Sequence, residues 1–247
     1  MHRVLLEIGE FSIYSYGFMI ALAVLVSLFL LYRHSRREGY DPEMVLESVL
    51  LICISGMVGA RLLFVILQWE TYSQDLLAVF SMWDGGLSFY GAFALGLVVF
   101  LLWCRWRNLS FLLLTDLYAP YVALGYAFGR IGCFLNGCCY GSVTDVPWAV
   151  VIPVVDNFPR HPVQLYAAAG SLIMFLLLRH LYRYKLFPGF NLLNLVMLYG
   201  LMRFVVEFFR EEEAWVGFLS MAQVFSGAFF IIAGMLSLGI YYWRSNG

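Results

Sequence analysis

Seven stretches of about twenty mostly apolar residues follow one another along this 247-residue chain, at about 12–32, 45–67, 86–104, 111–131, 164–182, 190–209 and 221–243. At about 1.5 Å per residue each is long enough to cross the ~30 Å hydrocarbon core of a bilayer. A soluble fold of this length has too little interior to hide seven such segments. With 62% of residues apolar, 13% charged and a mean hydropathy of +0.81, the apolar solvent must be lipid. The predicted fold class is therefore all-α: a polytopic membrane protein of about seven transmembrane helices, read as one transmembrane domain over 1–247. The first stretch lacks a basic leader and a small-residue cleavage site, so it is expected to be a retained helix. A net charge of −1, with no basic patch interleaved with aromatics, gives no footing for a nucleic-acid partner.

The connections sort by charge. Arg33, Arg36 and Arg37, then Arg105 and Arg107, then Arg179, Arg183 and Lys185, then Arg244 fall on alternate connections, and these nine are the majority of the fifteen Lys and Arg. The opposite set carries Glu70, Asp75 and Asp84 with no Lys or Arg, then Asp145 and Asp156, then Glu211, Glu212 and Glu213. Because positive loops stay in the cytoplasm, the N-terminus is predicted outside and the C-terminus cytoplasmic, which requires an odd number of crossings. Two outer connections, about 68–85 and 132–163, are too long for turns and form a predicted extracytoplasmic cap. Pro147, Pro153, Pro159 and Pro162 keep the second from being helix, and Trp69, Trp83 and Trp148 are available at headgroup level. Gly56 with Ala60, Ala92 with Gly96, and Gly125 with Gly129 have the spacing at which helix backbones approach closely in lipid.

An ionisable side chain inside a span is costly to hold there, so each is a candidate functional group. They are Glu47 and Arg61 in the second stretch, Asp116 and Arg130 in the fourth, and Arg203, Glu207 and Arg210 in the sixth. Glu47 and Asp116 lie near the cytoplasmic ends and are expected to reach water. The other arginines and Glu207, except for Arg61, lie toward the outer ends. Tyr199, Arg203, Glu207 and Arg210 fall within about 80° of one another around a helix, and Arg203–Glu207 and Glu207–Arg210 can pair as helix neighbours. One reading is a ladder that neutralises only itself. Two arginines facing one glutamate leave a surplus of positive charge, however, and phosphate is the natural match for a planar donor fork.

Residues 129–141, GRIGCFLNGCCYG, place Arg130 at the outer end of the fourth helix and are expected to break it at Gly132 and Gly137. Non-helical backbone at membrane depth is tolerated where it lines a cavity, and its glycines can present N–H groups to an anionic oxygen. The five cysteines, at 53, 104, 133, 138 and 139, are too few and too uneven for a disulfide framework. Cys53 and Cys104 sit in apolar stretches and read as packing. The C-x4-C-C run has neither an adjacent histidine nor a repeated C-x2-C, so no metal is expected, while a labile disulfide stays open on the outer side. Asp84-Gly-Gly-Leu-Ser-Phe-Tyr90-Gly91, His161-Pro-Val-Gln164-Leu-Tyr166 and Ser15-Tyr16-Gly17 bring tyrosines, a glutamine and a histidine to that same membrane face.

These residues together resemble the prolipoprotein diacylglyceryl transferase family. GRIGCFLNGCCYG is similar to that family's signature, Gly-Arg-x-Gly-Asn-Phe-x-Asn followed by a glycine. Supporting matches are Tyr16-Gly17, Gly85-Gly86-Leu-Ser-Phe-Tyr90-Gly91, His161-Pro-x-Gln-Leu-Tyr166 and Tyr199-Gly-x-x-Arg203-x-x-x-Glu207-x-x-Arg210, in the family's order and over most of the chain. The resemblance implies transfer of the diacylglyceryl group of phosphatidylglycerol to the lipobox cysteine of a prolipoprotein, with release of glycerol-1-phosphate. It also implies a bacterial cytoplasmic membrane location, an active site toward the extracytoplasmic side, and no cofactor or metal. Arg130, Arg203, Tyr90 and Glu207 take the catalytic positions. Arg130, Arg203, Arg210, Tyr16, Tyr199, Asn136, Gly141 and Gln164 take those that contact the lipid. In these roles Arg130 and Arg203 hold the phosphate, Glu207 and Arg210 orient Arg203, Tyr16 and Tyr199 bond headgroup oxygens, and Gly141 allows close backbone approach. The attacking thiol is the substrate's, so the chain's own cysteines are not required. Cys133 stands where the signature has asparagine, Cys138 where glutamate is common, and Tyr90 where the best-known members carry histidine.

Two other readings stay open: a relative that uses phosphatidylglycerol with another acceptor, and a non-catalytic lipid-binding or transport protein with an anion site between helices. Convergence of Arg130 and Arg203 with tyrosines at one depth favours catalysis. The lack of an internal repeat weighs against a transporter built from inverted halves.

Overall fold

The computed structural model describes residues 4–8, 11–81, 85–211 and 214–246; Trp83, Asp84, Glu212 and Glu213 lie outside the described residues. The helices are α1 (Ser15–Arg37), α2 (Pro42–Leu67), the single turn α3 (Trp69–Tyr72), α4 (Phe89–Trp106), α5 (Phe111–Asn136), α6 (Val163–Leu181), α7 (Phe190–Glu207) and α8 (Met221–Asn246), with a 3-10 turn at Leu76–Phe80. All but α3 are long and apolar enough to cross a membrane, seven among the described residues as the sequence predicts. Three short antiparallel pairs add to this helical body: β1 (Val4–Ile8) with β2 (Phe11–Tyr14), β3 (Val150–Val151) with β4 (Pro159–Arg160), and β5 (Ala214–Val216) with β6 (Leu219–Ser220).

The outer surface is as apolar as the core, and polar side chains share the interior with apolar ones. Leu25, Ile54, Ile66, Leu102, Ile173 and Leu238 point outward, while Gln164, Ser171, Asn191, Glu207, Gln223 and Ser226 are buried. Lipid accepts the former without cost, and only the protein interior can satisfy the latter.

Contacts divide the chain into two compact units, Tyr32–Leu114 and Met1–Leu31 with Thr115–Gly247. In the first, α2 and α4 pack together at a crossing where the backbones touch. A Cβ on Gly59 would collide with the Gly91 carbonyl oxygen, and one on Gly91 with the Gly59 carbonyl oxygen. The expected pairs sit around this crossing: a Cβ on Gly56 would stand 3.6 Å from the Ala92 carbonyl oxygen and one on Gly96 3.7 Å from that of Ile52. Arg61, buried in α2, gives four of its five N–H donors to backbone: Nε donates to Val79 O (2.8 Å), Nη1 to Gly85 O (2.7 Å) and Gly86 O (3.1 Å), and Nη2 to Ala78 O (2.6 Å). It thus fastens the 68–86 connection rather than offering a free charge. Glu47 is partly exposed, as expected, and ion-pairs with Arg107.

In the second unit α6 and α7 pack around Ala123, Met174 and Leu178, and around Val163, Ala167 and Val206. Two expectations are corrected here. Asp116 does not reach water: it is buried, and its carboxylate accepts from the N–H groups of Gly189, Asn191 and Leu192 at 2.8–2.9 Å. Those are donors that the first turn of α7 leaves without an intrahelical partner. Nor does Gly132 break a helix. α5 runs on to Asn136, and the bare face of Gly132 is where Met19 and Tyr16 of α1 press in, 3.1 and 3.2 Å from where a Cβ would stand. Close helix packing, not a turn, explains that glycine.

Candidate active site

The end of α5 carries Tyr126, Arg130 and Cys133 at i, i+4 and i+7, one face of the helix. On α7, Tyr199, Arg203 and Glu207 follow at i, i+4 and i+8, again along one face. The two rows meet where the Tyr126 ring stands edge-on to Tyr199, centroids 5.5 Å apart at 88°. Tyr126 fixes the Arg130 guanidinium: Nε donates to the phenol oxygen at 2.7 Å, Nη2 donates to the same oxygen, and the guanidinium carbon lies 4.8 Å from the ring centroid. Sequence reasoning missed Tyr126, although its position four residues before Arg130 is the available signal.

On α7 the predicted ladder is present. Arg203 Nη1 is 2.6 Å from Glu207 Oε2, and Arg210 Nε is 3.9 Å from the same oxygen. Glu207 is buried, and the Ser220 hydroxyl donates to its other oxygen at 3.4 Å. Arg130 and Arg203 then line one small cavity with Tyr126, Cys139, Met202 and Arg210, floored by Val163, Ala167 and Val206. Its volume is about 10 Å³, room for one water. Three guanidinium groups line it and a single carboxylate, Glu207, pairs with two of them, so positive charge is in surplus and the ladder does not neutralise itself.

The helix break comes at Gly137. Its N–H donates to Phe134 O and that of Cys138 to Cys133 O, both at 3.1 Å, with Gly137 at φ +74°. These are the two bonds of a Schellman cap with its left-handed residue supplied by glycine. Cys139 is also left-handed, at φ +58°. Its thiol is held below the ordinary thiol range by hydrogen bonds with the Cys133 and Cys138 thiols, with the Arg130 and Arg210 charges adding to the effect. Gln164, almost wholly buried, donates from Nε2 to Cys138 O at 2.7 Å, so its amide holds the turn. Asn136 is the last residue of α5.

Gly141 sits where nothing larger fits. A Cβ there would stand 2.5 Å from the Phe209 carbonyl oxygen, 2.7 Å from Val163 and 2.8 Å from His161. The close approach that this glycine allows is therefore to the end of α7 and the start of α6. Arg160 secures the same turn: Nη1 donates to Gly141 O at 3.2 Å, the guanidinium pairs with Asp156 at 2.5 Å and Glu211 at 3.5 Å, and it lies 5.0 Å from the Tyr140 centroid. That hydrogen-bonded guanidinium holds the Asp156 carboxyl below the usual carboxylate range. Tyr16, half-exposed on α1, lies against Gly132. Tyr90 belongs to the other unit, at the start of α4, where it is highly exposed beside Phe89.

A second, larger cavity of about 630 Å³ adjoins the first. It is lined by Gly170, Ile173, Met174 and Leu177 of α6 and by Leu198, Leu201, Met202, Val205 and Val206 of α7, and Trp148, His161 and Tyr166 form its polar rim. Trp148 Nε1 donates to the Tyr166 oxygen at 2.7 Å, and that oxygen is 3.1 Å from His161 Nδ1. Indole can only donate, so the Tyr166 oxygen accepts from Trp148 and links it to the His161 ring. Met202 and Val206 line both cavities and form the wall between them.

Residues 3–239 match the family model described as prolipoprotein diacylglyceryl transferase. The chain is similar to the phosphatidylglycerol–prolipoprotein diacylglyceryl transferase of Finegoldia magna, 34% identical over 237 residues that cover 96% of this chain and 94% of the relative. The enzyme of the same name from Polynucleobacter asymbioticus is 36% identical, covering 98% and 94%. A third, from Clostridium perfringens, is 34% identical, covering 97% and 95%.

Proposed function

This chain belongs to the prolipoprotein diacylglyceryl transferase family, and from that premise we propose that its arginine cavity holds the phosphate of phosphatidylglycerol. The reaction is transfer of the diacylglyceryl group to the lipobox cysteine of a prolipoprotein. The thiolate sulfur attacks the glycerol carbon, the carbon–oxygen bond to phosphate breaks, and its electron pair leaves with glycerol-1-phosphate. The thiol's proton must be taken up as attack proceeds. Charge builds on the departing phosphate, so donors fixed in advance around it lower the barrier most.

The single observation that carries this reading is that Arg130 and Arg203, from different helices, line one cavity with a net positive charge. Tyr126 orients the first and Glu207 the second. The cavity admits one water as it stands. Admission of a phosphate therefore requires the cavity to widen. The adjoining apolar cavity suits an acyl chain in its chemistry and its size. Tyr90, in the position of the family's histidine, is assigned to handling of the thiol proton, and Tyr16 to the headgroup. Arg33, Arg36, Arg37, Arg105 and Arg107 on cytoplasmic connections orient the chain with its N-terminus and site outside.

The test is purified protein with phosphatidylglycerol vesicles and a lipobox peptide, with release of glycerol phosphate as the readout. Arg203→Ala should insert normally and release none. Release at the parent rate from that variant refutes the assignment, and no release from the parent chain moves the reading to another acceptor.

A further inference from the structure

We propose that Cys133, Cys138 and Cys139 form a site for one zinc-class divalent cation at the C-terminal end of α5, a site that does not depend on the transfer reaction. All three Sγ atoms lie within 4.8 Å of one another, and none is in a disulfide. Around a tetrahedral centre with metal–sulfur bonds of about 2.3 Å, two sulfurs stand about 3.8 Å apart. Closing the shell therefore asks each sulfur to move by about 1 Å or less.

The backbone has already arranged this convergence. In a Schellman cap the side chain three positions before the helix end meets the one just beyond the left-handed residue, commonly as a hydrophobic contact. Those positions here are Cys133 and Cys138, joined by the 3.1 Å bond from Cys138 N to Cys133 O. Cys139, left-handed in turn, folds the third thiol back beside them. Gln164 pins the Cys138 carbonyl from a buried position, so the ligands are held before any ion arrives. The spacing alone hid this, because C-x4-C with glycine before the second cysteine is a cap motif and not one of the familiar zinc spacings.

Soft thiolates select zinc-class cations over magnesium or calcium. Three of them with one divalent cation carry a net charge of −1, and Cys139 shares its cavity with Arg130, Arg203 and Arg210, which complement that charge. Three protein ligands leave a fourth position for water or a solute. Binding is ligand exchange without redox change: each sulfur's electron pair goes to the metal, and each thiol proton goes to solvent.

The full chain, purified in detergent and handled without oxygen, is titrated with Co²⁺ and then Zn²⁺. One equivalent of Co²⁺ should give a thiolate-to-cobalt charge-transfer band that Zn²⁺ removes. Cys138→Ser or Cys139→Ser should each weaken Co²⁺ binding by at least about 100-fold, the upper end of what losing an outer-shell partner costs. No such band, or affinity within tenfold of the parent in either variant, overturns the site. If the variants fail to fold, maleimide labelling of the unmutated chain, read by peptide mass, decides instead. Zn²⁺ should protect Cys133, Cys138 and Cys139 and leave labelling of Cys53 and Cys104 unchanged. Equal labelling of the three with and without Zn²⁺ overturns the proposal. So does a pair that labels only after reduction, since its thiols are then joined to each other.

Discussion

Arg130→Lys separates charge from geometry at the centre of the site. The lysine keeps the positive charge and loses the planar fork. Of the five N–H donors of the guanidinium, two are engaged by the Tyr126 oxygen, from Nε at 2.7 Å and from Nη2, which leaves three for an anion. An ammonium has three donors on one nitrogen. If it keeps one bond to Tyr126 it offers the phosphate two, in a geometry that Tyr126 no longer sets. One charge-assisted hydrogen bond is worth about 1.5–3 kcal/mol, and about 1.4 kcal/mol is a factor of ten. The expected loss in kcat/KM for glycerol phosphate release is therefore about 10- to 150-fold, with unchanged membrane insertion. Tyr126→Phe should also lose activity, and because Tyr126 acts through Arg130 its effect should vanish in the Arg130→Lys background. A lysine variant within threefold of the parent would show that charge alone suffices and refute the role given to the fork.

Three further outcomes follow from other parts of the structure. Glu207→Gln leaves Arg203 and Arg210 facing each other beside a buried amide; since both arginines remain about one-fifth exposed, the cost should fall near the lower end of the ~3–5 kcal/mol for a broken buried pair, read as a fall in the thermal inactivation midpoint in detergent. Gly91→Ala drives a methyl into the Gly59 carbonyl and should cost about 1–3 kcal/mol or more by the same measurement, whereas Gly239→Ala, with nothing within 4 Å, should be neutral. Asp156 has its carboxyl pKa lowered by Arg160, so its contribution to the cap is present above the unfolded value near ~4 and is lost as pH falls through the lower folded value; amide exchange at 150–160 should quicken on that acid limb, and Asp156→Asn should be quick already at neutral pH.

The spans were legible because a hydropathy run about twenty residues long has one physical use, and the α7 ladder because spacings of 4, 4 and 3 fix a helix face. What failed depended on partners far away in sequence. Asp116 looked like a residue at a water-facing helix end, yet it meets the N-terminus of α7 more than seventy residues later. Gly132 looked like a breaker, but only the arrival of Tyr16 and Met19 decides whether a glycine marks a turn or a contact. Gly137 does break the helix, because its φ of +74° is needed to close the cap. The pairs at Gly56 and Gly96 pointed to the right helices, but the tightest approach is at Gly59 and Gly91, and spacing along one helix cannot say which small residue meets which.

On the proposed reading, the wall between the two cavities is where the chemistry has to happen. Phosphatidylglycerol carries its phosphate and its acyl chains on opposite sides of the carbon that the thiol attacks. A site that serves it needs an anion pocket and an apolar pocket sharing an edge, with the scissile carbon–oxygen bond over that edge. Met202 and Val206 are that edge, because both line the pocket of Arg130 and Arg203 and the apolar cavity between α6 and α7. Met202 suits the position physically: an unbranched thioether with three rotatable bonds can fold away as a lipid lies across it, which a β-branched side chain cannot do. Gly170, whose missing Cβ would stand 2.9 Å from its Cγ, leaves it that room from the α6 side, while the Ser171 hydroxyl donates to its sulfur at 3.4 Å. A larger residue at Gly170 should therefore hinder the lipid step without touching either arginine.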